Sequence, residues 1–147
     1  MAAQNLAKNI ITRIQTQLQE ITTDDGYYNN DVADTNIKRY FVSYQECGRY
    51  PFICIASIRV GETSASPRGA FECPFSVEIF GYTDNRTDPL LEAVEMAEDI
   101  EQALYHDEDL NDQVKEPSAS FECGNQDNVG VCHFTYSGVY VWTDPIS

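Results

Sequence analysis

The run from Val129 to Trp142 limits most strongly what this chain can fold into. Val129, Val131, His133, Thr135, Val139 and Val141 share one parity, and Cys132, Phe134, Tyr136, Tyr140 and Trp142 share the other. Such alternation predicts a long strand. Apolar side chains on both of its faces need cover on both. The strand is therefore central in a sheet, or its second face meets a partner. The rest of the chain must supply the neighbouring strands and a covering layer.

Other strands are legible. Phe52, Cys54, Ala56, Ile58 and Val60 predict a strand over 52–60 with those residues on one face. Phe71, Cys73, Phe75, Val77 and Ile79 alternate with Glu72, Ser76 and Glu78, which predicts a strand over 70–82. Pro74 lacks an N–H and belongs near that strand's start or on an edge. Tyr40, Val42 and Tyr44 predict a further strand within 38–47, and Ser120–Cys123 a short one before the turn Gly124–Asn128.

Two helices complete the set. Leu6, Ile10, Ile14 and Leu18, with Ile11 and Ile21, make an apolar stripe over residues 5–21. Asp88 and Pro89 open the second helix as cap and first residue. Leu90, Ala93, Val94, Ala97, Ile100 and Leu104 form its apolar face. Residues 24–37 predict a long exposed loop, and residues 61–69 a mobile one rich in small side chains. The order of elements predicts a single α+β domain over 1–147: a mainly antiparallel sheet with two helices packed on one face.

At 147 residues, 42% of them hydrophobic and 12% aromatic, the chain can build a substantial core. No apolar run is long enough to span a bilayer. The N-terminus lacks the pattern of a secretory signal, so synthesis and retention in a cytoplasm are expected. Nine Lys and Arg face 24 Asp and Glu, a formal charge of −15. That balance disfavours tight or sequence-specific nucleic-acid binding, which needs basic side chains against phosphate. From Asp88 to Asp112 there are ten acids and no Lys or Arg.

Chemical motifs are missing. There is no phosphate-binding glycine loop, no HExxH and no GxSxG. The five cysteines, Cys47, Cys54, Cys73, Cys123 and Cys132, form no CxxC pair and do not have zinc-site spacing. Cys54 and Cys73 read as buried free thiols. His106 reads as a solvated residue at a helix C-terminus and His133 as a packed strand residue. The acids Asp107, Glu108, Asp109 and Asp112 lack EF-hand spacing and read as a wet turn. No catalytic residue, metal set or cofactor is expected. A thiol–imidazole pair of Cys132, Cys123 or Cys73 with His133 needs only that the two meet in space.

Several stretches carry a family resemblance. They are the helix Asn5–Ile21, Asp25-Gly26-Tyr27 and its polar loop, the strands Phe52–Val60 and Phe71–Tyr82, the segment Ser76–Tyr82, the helix end Glu98–Leu104, and the Tyr-rich strand Phe134–Trp142. In this order they resemble the tail terminator, or tail completion, proteins of tailed bacteriophages. The resemblance spans nearly the whole chain and rests on pattern rather than chemical signature. It implies a non-enzymatic virion protein of the tail or neck, made in the bacterial host. Such a protein forms a homo-hexameric ring on the tail tube, ends tube polymerisation and joins the head connector. A sheath contact is added where the tail is contractile. DNA would pass through the lumen.

On that footing Glu92, Glu95, Glu98, Asp99, Glu101, Asp107, Glu108, Asp109 and Asp112 are candidate lumen acids, repelling phosphate so that DNA slides. Asp24, Tyr27, Tyr28, Glu62 and Arg68 are candidate contacts to tube and connector. Cys47, Cys123 and Cys132 are candidate thiols for bridges between subunits. The competing readings are a neighbouring neck or head-completion protein, an acidic DNA-mimic inhibitor, and a small thiol enzyme or hydrolase.

Overall fold

A computed structural model describes residues 6–24, 26–65, 69–84, 87–106 and 113–143. The elements run α1 (Leu6–Leu18), a 3-10 turn (Asp34–Asn36), β1 (Ile37–Lys38), β2 (Phe52–Val60), β3 (Ser64–Ala65), β4 (Ala70–Thr83), α2 (Pro89–Tyr105), β5 (Val114–Gln126) and β6 (Val129–Thr143). The sheet order is β1-β2-β4-β6-β5, with β3 on the β2 side of β4. All pairings are antiparallel except β1 with β2. The fold is α+β, as its periodicities predict, and β6 is central between β4 and β5.

Both helices cover one face, hereafter the helix face. Ile10, Ile14 and Leu18 of α1 and Met96, Ala97, Ile100 and Leu104 of α2 bury against Ile53, Ile55, Cys73, Val77, Ile79, Cys132, Phe134 and Tyr136 of the strands. Each fully buried large side chain contributes about 1.5–3 kcal/mol of transfer free energy. Two glycines let α2 approach the sheet. A Cβ on Gly81 would lie 2.7 Å from Met96 Cγ, and one on Gly130 would lie 2.4 Å from the Pro89 carbonyl oxygen.

Several expectations are corrected. The first helix ends at Leu18; Ile21 is buried, but from the turn that follows. Residues 39–47 form no strand. After Lys38 the chain turns away from the sheet edge, with a turn at Tyr44–Glu46, and becomes a strap across the other, outer face. The 24–37 segment is not simply exposed: Asn30, Val32, Asn36 and Ile37 are buried. The 61–69 loop contains β3, which pairs Ser64 with Glu72. The strand before the last turn is the full length of β5 rather than Ser120–Cys123.

Parity in β2 is also corrected. The register shifts between Ile55 and Ser57. This bulge puts Ile53 and Ile55 on the helix face, and Phe52 and Cys54 outside. In α2, Leu90 is exposed, and Met96 and Ala103 take core positions instead.

Pro74 lies inside β4, not at its start. Its carbonyl accepts from Gly61 N–H at 2.8 Å, which places its missing donor opposite the Gly61 carbonyl. The Cys73 thiol donates to that carbonyl at 3.3 Å and supplies what the proline lacks.

Candidate functional site: an acidic helix face and an open sheet face

Helix α2 begins as its first residues require. Asp88 Oδ1 accepts from Leu91 N–H at 3.2 Å, and Pro89 follows. Burying Ala93, Met96, Ala97, Ile100 and Leu104 leaves Glu98 and Glu101 exposed and Glu92 and Glu95 half-buried, with no cation on the helix. Burial pushes the Glu95 carboxyl above its usual range, and the negative charges of Glu92, Asp99, Glu98 and Asp88 add to the effect.

Asp99 does not belong to that wet row. It is 1% exposed. Its Oδ1 accepts from Asn29 N–H at 2.8 Å and Asn29 Nδ2 at 3.2 Å. Its Oδ2 accepts from Asn30 N–H at 2.9 Å and Asn30 Nδ2 at 2.8 Å. Burial raises its carboxyl above the ordinary value, and these four amide donors hold the shift back. Asp99 is thus a clasp between α2 and the 26–32 loop, and it cannot face a lumen. A helical wheel carries the signal: Asp99 sits three residues after Met96 and four before Ala103, within the buried seam.

The clasp shapes a cleft of about 550 Å³ lined by Tyr27, Asn29, Glu98, Asp99, Glu101, Gln102 and Tyr105. Tyr27 is 67% exposed, with its ring 6.0 Å from that of His106, the C-cap of α2. Tyr28 turns inward and packs against the core, so it is not a free contact residue. Asp24 and Glu62 are exposed. Arg68, Asp107, Glu108, Asp109 and Asp112 lie outside the described residues.

The outer face of the sheet divides in two. Near the β5–β6 turn, the strap covers Phe52, Cys54 and Tyr82 with Val42, Tyr44, Cys47 and Tyr50. Tyr82 O–H donates to the Val42 carbonyl at 2.6 Å, and Tyr44 O–H donates to Asp127 Oδ2 at 2.9 Å. Burial pushes the Tyr50 hydroxyl up to about 12.

At the strap's margin, where Phe80 still packs against the covered cluster, the face becomes polar and, among the described residues, open. His133 stacks on Phe80 with centroids 4.4 Å apart, and Phe41 meets Phe80 edge-on at 5.3 Å. His133 Nε2 is 3.1 Å from Glu78 Oε1, and Ser57 O–H donates to Glu78 Oε2 at 2.8 Å. The Ser57 hydrogen bond, with His133 and Arg59, holds the Glu78 carboxyl below its usual range. Lys115 bridges over β6 to Glu72.

This trio is not wired for nucleophilic attack. The carboxylate sits between serine and imidazole, so the imidazole does not reach the hydroxyl. Parity also separates His133 from the thiols. Cys73, Cys123 and Cys132 pack with the helix-face core, whereas His133 stacks outside. The thiol–imidazole pairing is therefore ruled out.

All five cysteines are free. Cys54, Cys73 and Cys132 are buried to 0% exposure, so Cys132 cannot bridge to another subunit. Cys47 and Cys123 are half-buried. Among the described residues, no three His, Cys, Asp or Glu side chains gather to hold a metal. No helix among them is long and apolar enough to cross a membrane. No protein-family model matches the chain, and no curated protein matches its sequence.

Proposed function

We propose that this chain is the subunit of a ring that caps the tube of a bacteriophage tail. The ring ends tube polymerisation and presents a docking surface to the head connector. The observation that carries the reading is the acidic row of α2, with Glu98 and Glu101 exposed, Glu92 and Glu95 half-buried, and no cation on the helix. A hexamer would carry ninety excess negative charges, fifteen per copy. A lumen lined by such a row repels phosphate and lets DNA pass without sticking. Two further features support self-association. Among the described residues, no strand pairs the second side of β5 and nothing covers the outer face beyond the strap.

In this reading the partners are further copies of the chain, the tube protein and the connector, with the sheath added in a contractile tail. The ring belongs to the virion, is assembled in the host cytoplasm and performs no catalysis. The exposed Tyr27 and the acidic cleft beside it are the first contacts to test against a partner.

The test is the mass of the purified protein by light scattering, with negative-stain imaging, alone and with tube protein. A hexameric ring, free or seated on tube ends, is expected. A monomer that ignores tube protein overturns the reading and points to an acidic mimic of DNA with a basic protein partner.

A further inference from the structure

Strands β5 and β6 are joined by Asp127 and Asn128, whose φ angles are +52° and +67°. Positive φ at both central residues is the two-residue type I′ turn, in which the flanking pair is hydrogen-bonded. Gln126 and Val129 are that pair. Hydrogen-bonded and non-hydrogen-bonded pairs alternate from there. Counting outward, Asn125 with Gly130 is non-bonded, Gly124 with Val131 bonded, and Cys123 with Cys132 non-bonded. Opposite residues at a non-bonded position have Cα atoms about 4.5 Å apart and side chains on one face. That spacing falls inside the range a disulfide spans, about 4.4–6.8 Å.

We infer that Cys123 and Cys132 are a thiol-oxidation site, closed into a cross-strand disulfide by exchange with a small-molecule disulfide. This inference does not depend on the ring reading.

The two sulfurs differ in access. Cys132 is fully buried, and its Sγ lies over Gly81, where a Cβ would come within 2.9 Å of it. Cys123 is half-buried at the edge of the same core. Cys123 therefore reacts first. Its thiolate attacks one sulfur of the reagent and the reagent's S–S bond breaks. One thiolate leaves, and Cys123 carries a mixed disulfide. Cys132 then swings from Gly81 towards β5, gives up its proton and attacks the Cys123 sulfur, releasing the second thiolate. Two protein thiols are oxidised and one reagent disulfide is reduced to two thiols. Burial raises both thiols above their ordinary range, so the exchange is slow at neutral pH and faster in mild alkali. The product ties the edge strand β5 to the central strand across its own hairpin.

The test treats the folded chain with oxidised glutathione, quenches with acid, alkylates remaining thiols in denaturant and maps peptides by mass. The expected result is a linked Cys123–Cys132 peptide, with Cys47, Cys54 and Cys73 alkylated. The oxidised form should melt about 5 °C or more higher. Cys132→Ala should stop at a glutathione adduct on Cys123, and Cys123→Ser should leave Cys132 alkylated. Recovery of Cys123 and Cys132 both alkylated from the wild-type chain overturns the inference. So does a lasting adduct on Cys123 beside a free Cys132, or a bridge from either to another cysteine.

Discussion

Asn30 meets Asp99 twice, through its backbone N–H at 2.9 Å and its side-chain amide at 2.8 Å, and both bonds fall on one carboxylate oxygen. Sixty-nine positions of sequence separate the two. With Asn29 on the other oxygen, the carboxylate replaces solvent for an entire loop. Asp99→Ala should cost about 2–4 kcal/mol in urea unfolding, because it leaves buried amide donors unpaired. Hydrogen exchange should quicken at Asn29 and Asn30 while the β4 amides stay protected. Wild-type stability in the variant would show that the loop holds its place without the clasp.

The two close-approach glycines should respond differently to a methyl group. At Gly81 the nearest atoms belong to side chains, Met96 Cγ and Cys132 Sγ, which can shift more readily than backbone. At Gly130 the nearest atoms include a backbone carbonyl at the start of α2. Gly81→Ala should cost about 1–3 kcal/mol and Gly130→Ala more, as overpacking against fixed backbone does. Thermal melts of the two variants rank them, and the reverse order would contradict the packing described.

Glu78 gives a pH signature. Its carboxyl is held low, chiefly by the Ser57 hydroxyl. A depressed folded value means that the contribution to stability is present above the ordinary carboxylate range. It is lost as pH falls through the folded midpoint. Ser57→Ala should raise the Glu78 midpoint in a carbon-detected NMR titration and soften the acid limb of the stability curve. An unmoved midpoint would assign the shift to His133 and Arg59 instead.

The strap should loosen when its anchor is cut. Tyr82→Phe keeps the ring stacked on Phe52, 6.2 Å away, and removes only the hydroxyl that donates to Val42. A loss of about 1 kcal/mol is expected, with faster exchange confined to residues 39–51. Faster exchange in β2 as well would mean that the strap and the sheet open together.

Replacing Glu92, Glu95, Glu98 and Glu101 together with Lys separates folding from function. Four lysines repel one another as the four acids do, but they are attracted by the chain's remaining excess of acids, so the variant should fold with near wild-type stability. Under the ring proposal, DNA ejection from particles carrying it should slow. Unchanged ejection would remove these acids from the lumen.

The sheet was legible because its strands alternate over long stretches, as Phe71–Ile79 and Phe134–Trp142 do. The cap of α2 was legible because Asp88-Pro89 carries its own chemistry. Residues 39–47 alternate like a strand at Tyr40, Val42 and Tyr44, and alternation does not reveal that the chain leaves the sheet edge after Lys38. The β2 bulge was invisible, since one inserted residue leaves no mark on composition. Asp99 was misread because charge dominates a sequence reading, whereas its place on the helix seam decides its environment. The open outer face was foreshadowed only in the question of what covers the second side of β6. Its Phe80–His133–Glu78 contacts join residues far apart in sequence, with no local motif to announce them.

The Asp127–Asn128 turn also bears on the order in which the sheet forms. It lets β5 and β6 zip as neighbours in sequence, closing a two-residue loop on a timescale of about 1–10 μs. The central ladder has no such shortcut, for it must bring Thr83 to Gly130 and Ala70 to Thr143 around the whole of α2. The hairpin is therefore the natural nucleus and the β4–β6 seam the late event. Until that seam closes, the side of β6 that will pair with β4 is itself an edge along its whole length, open to pairing with the wrong neighbour.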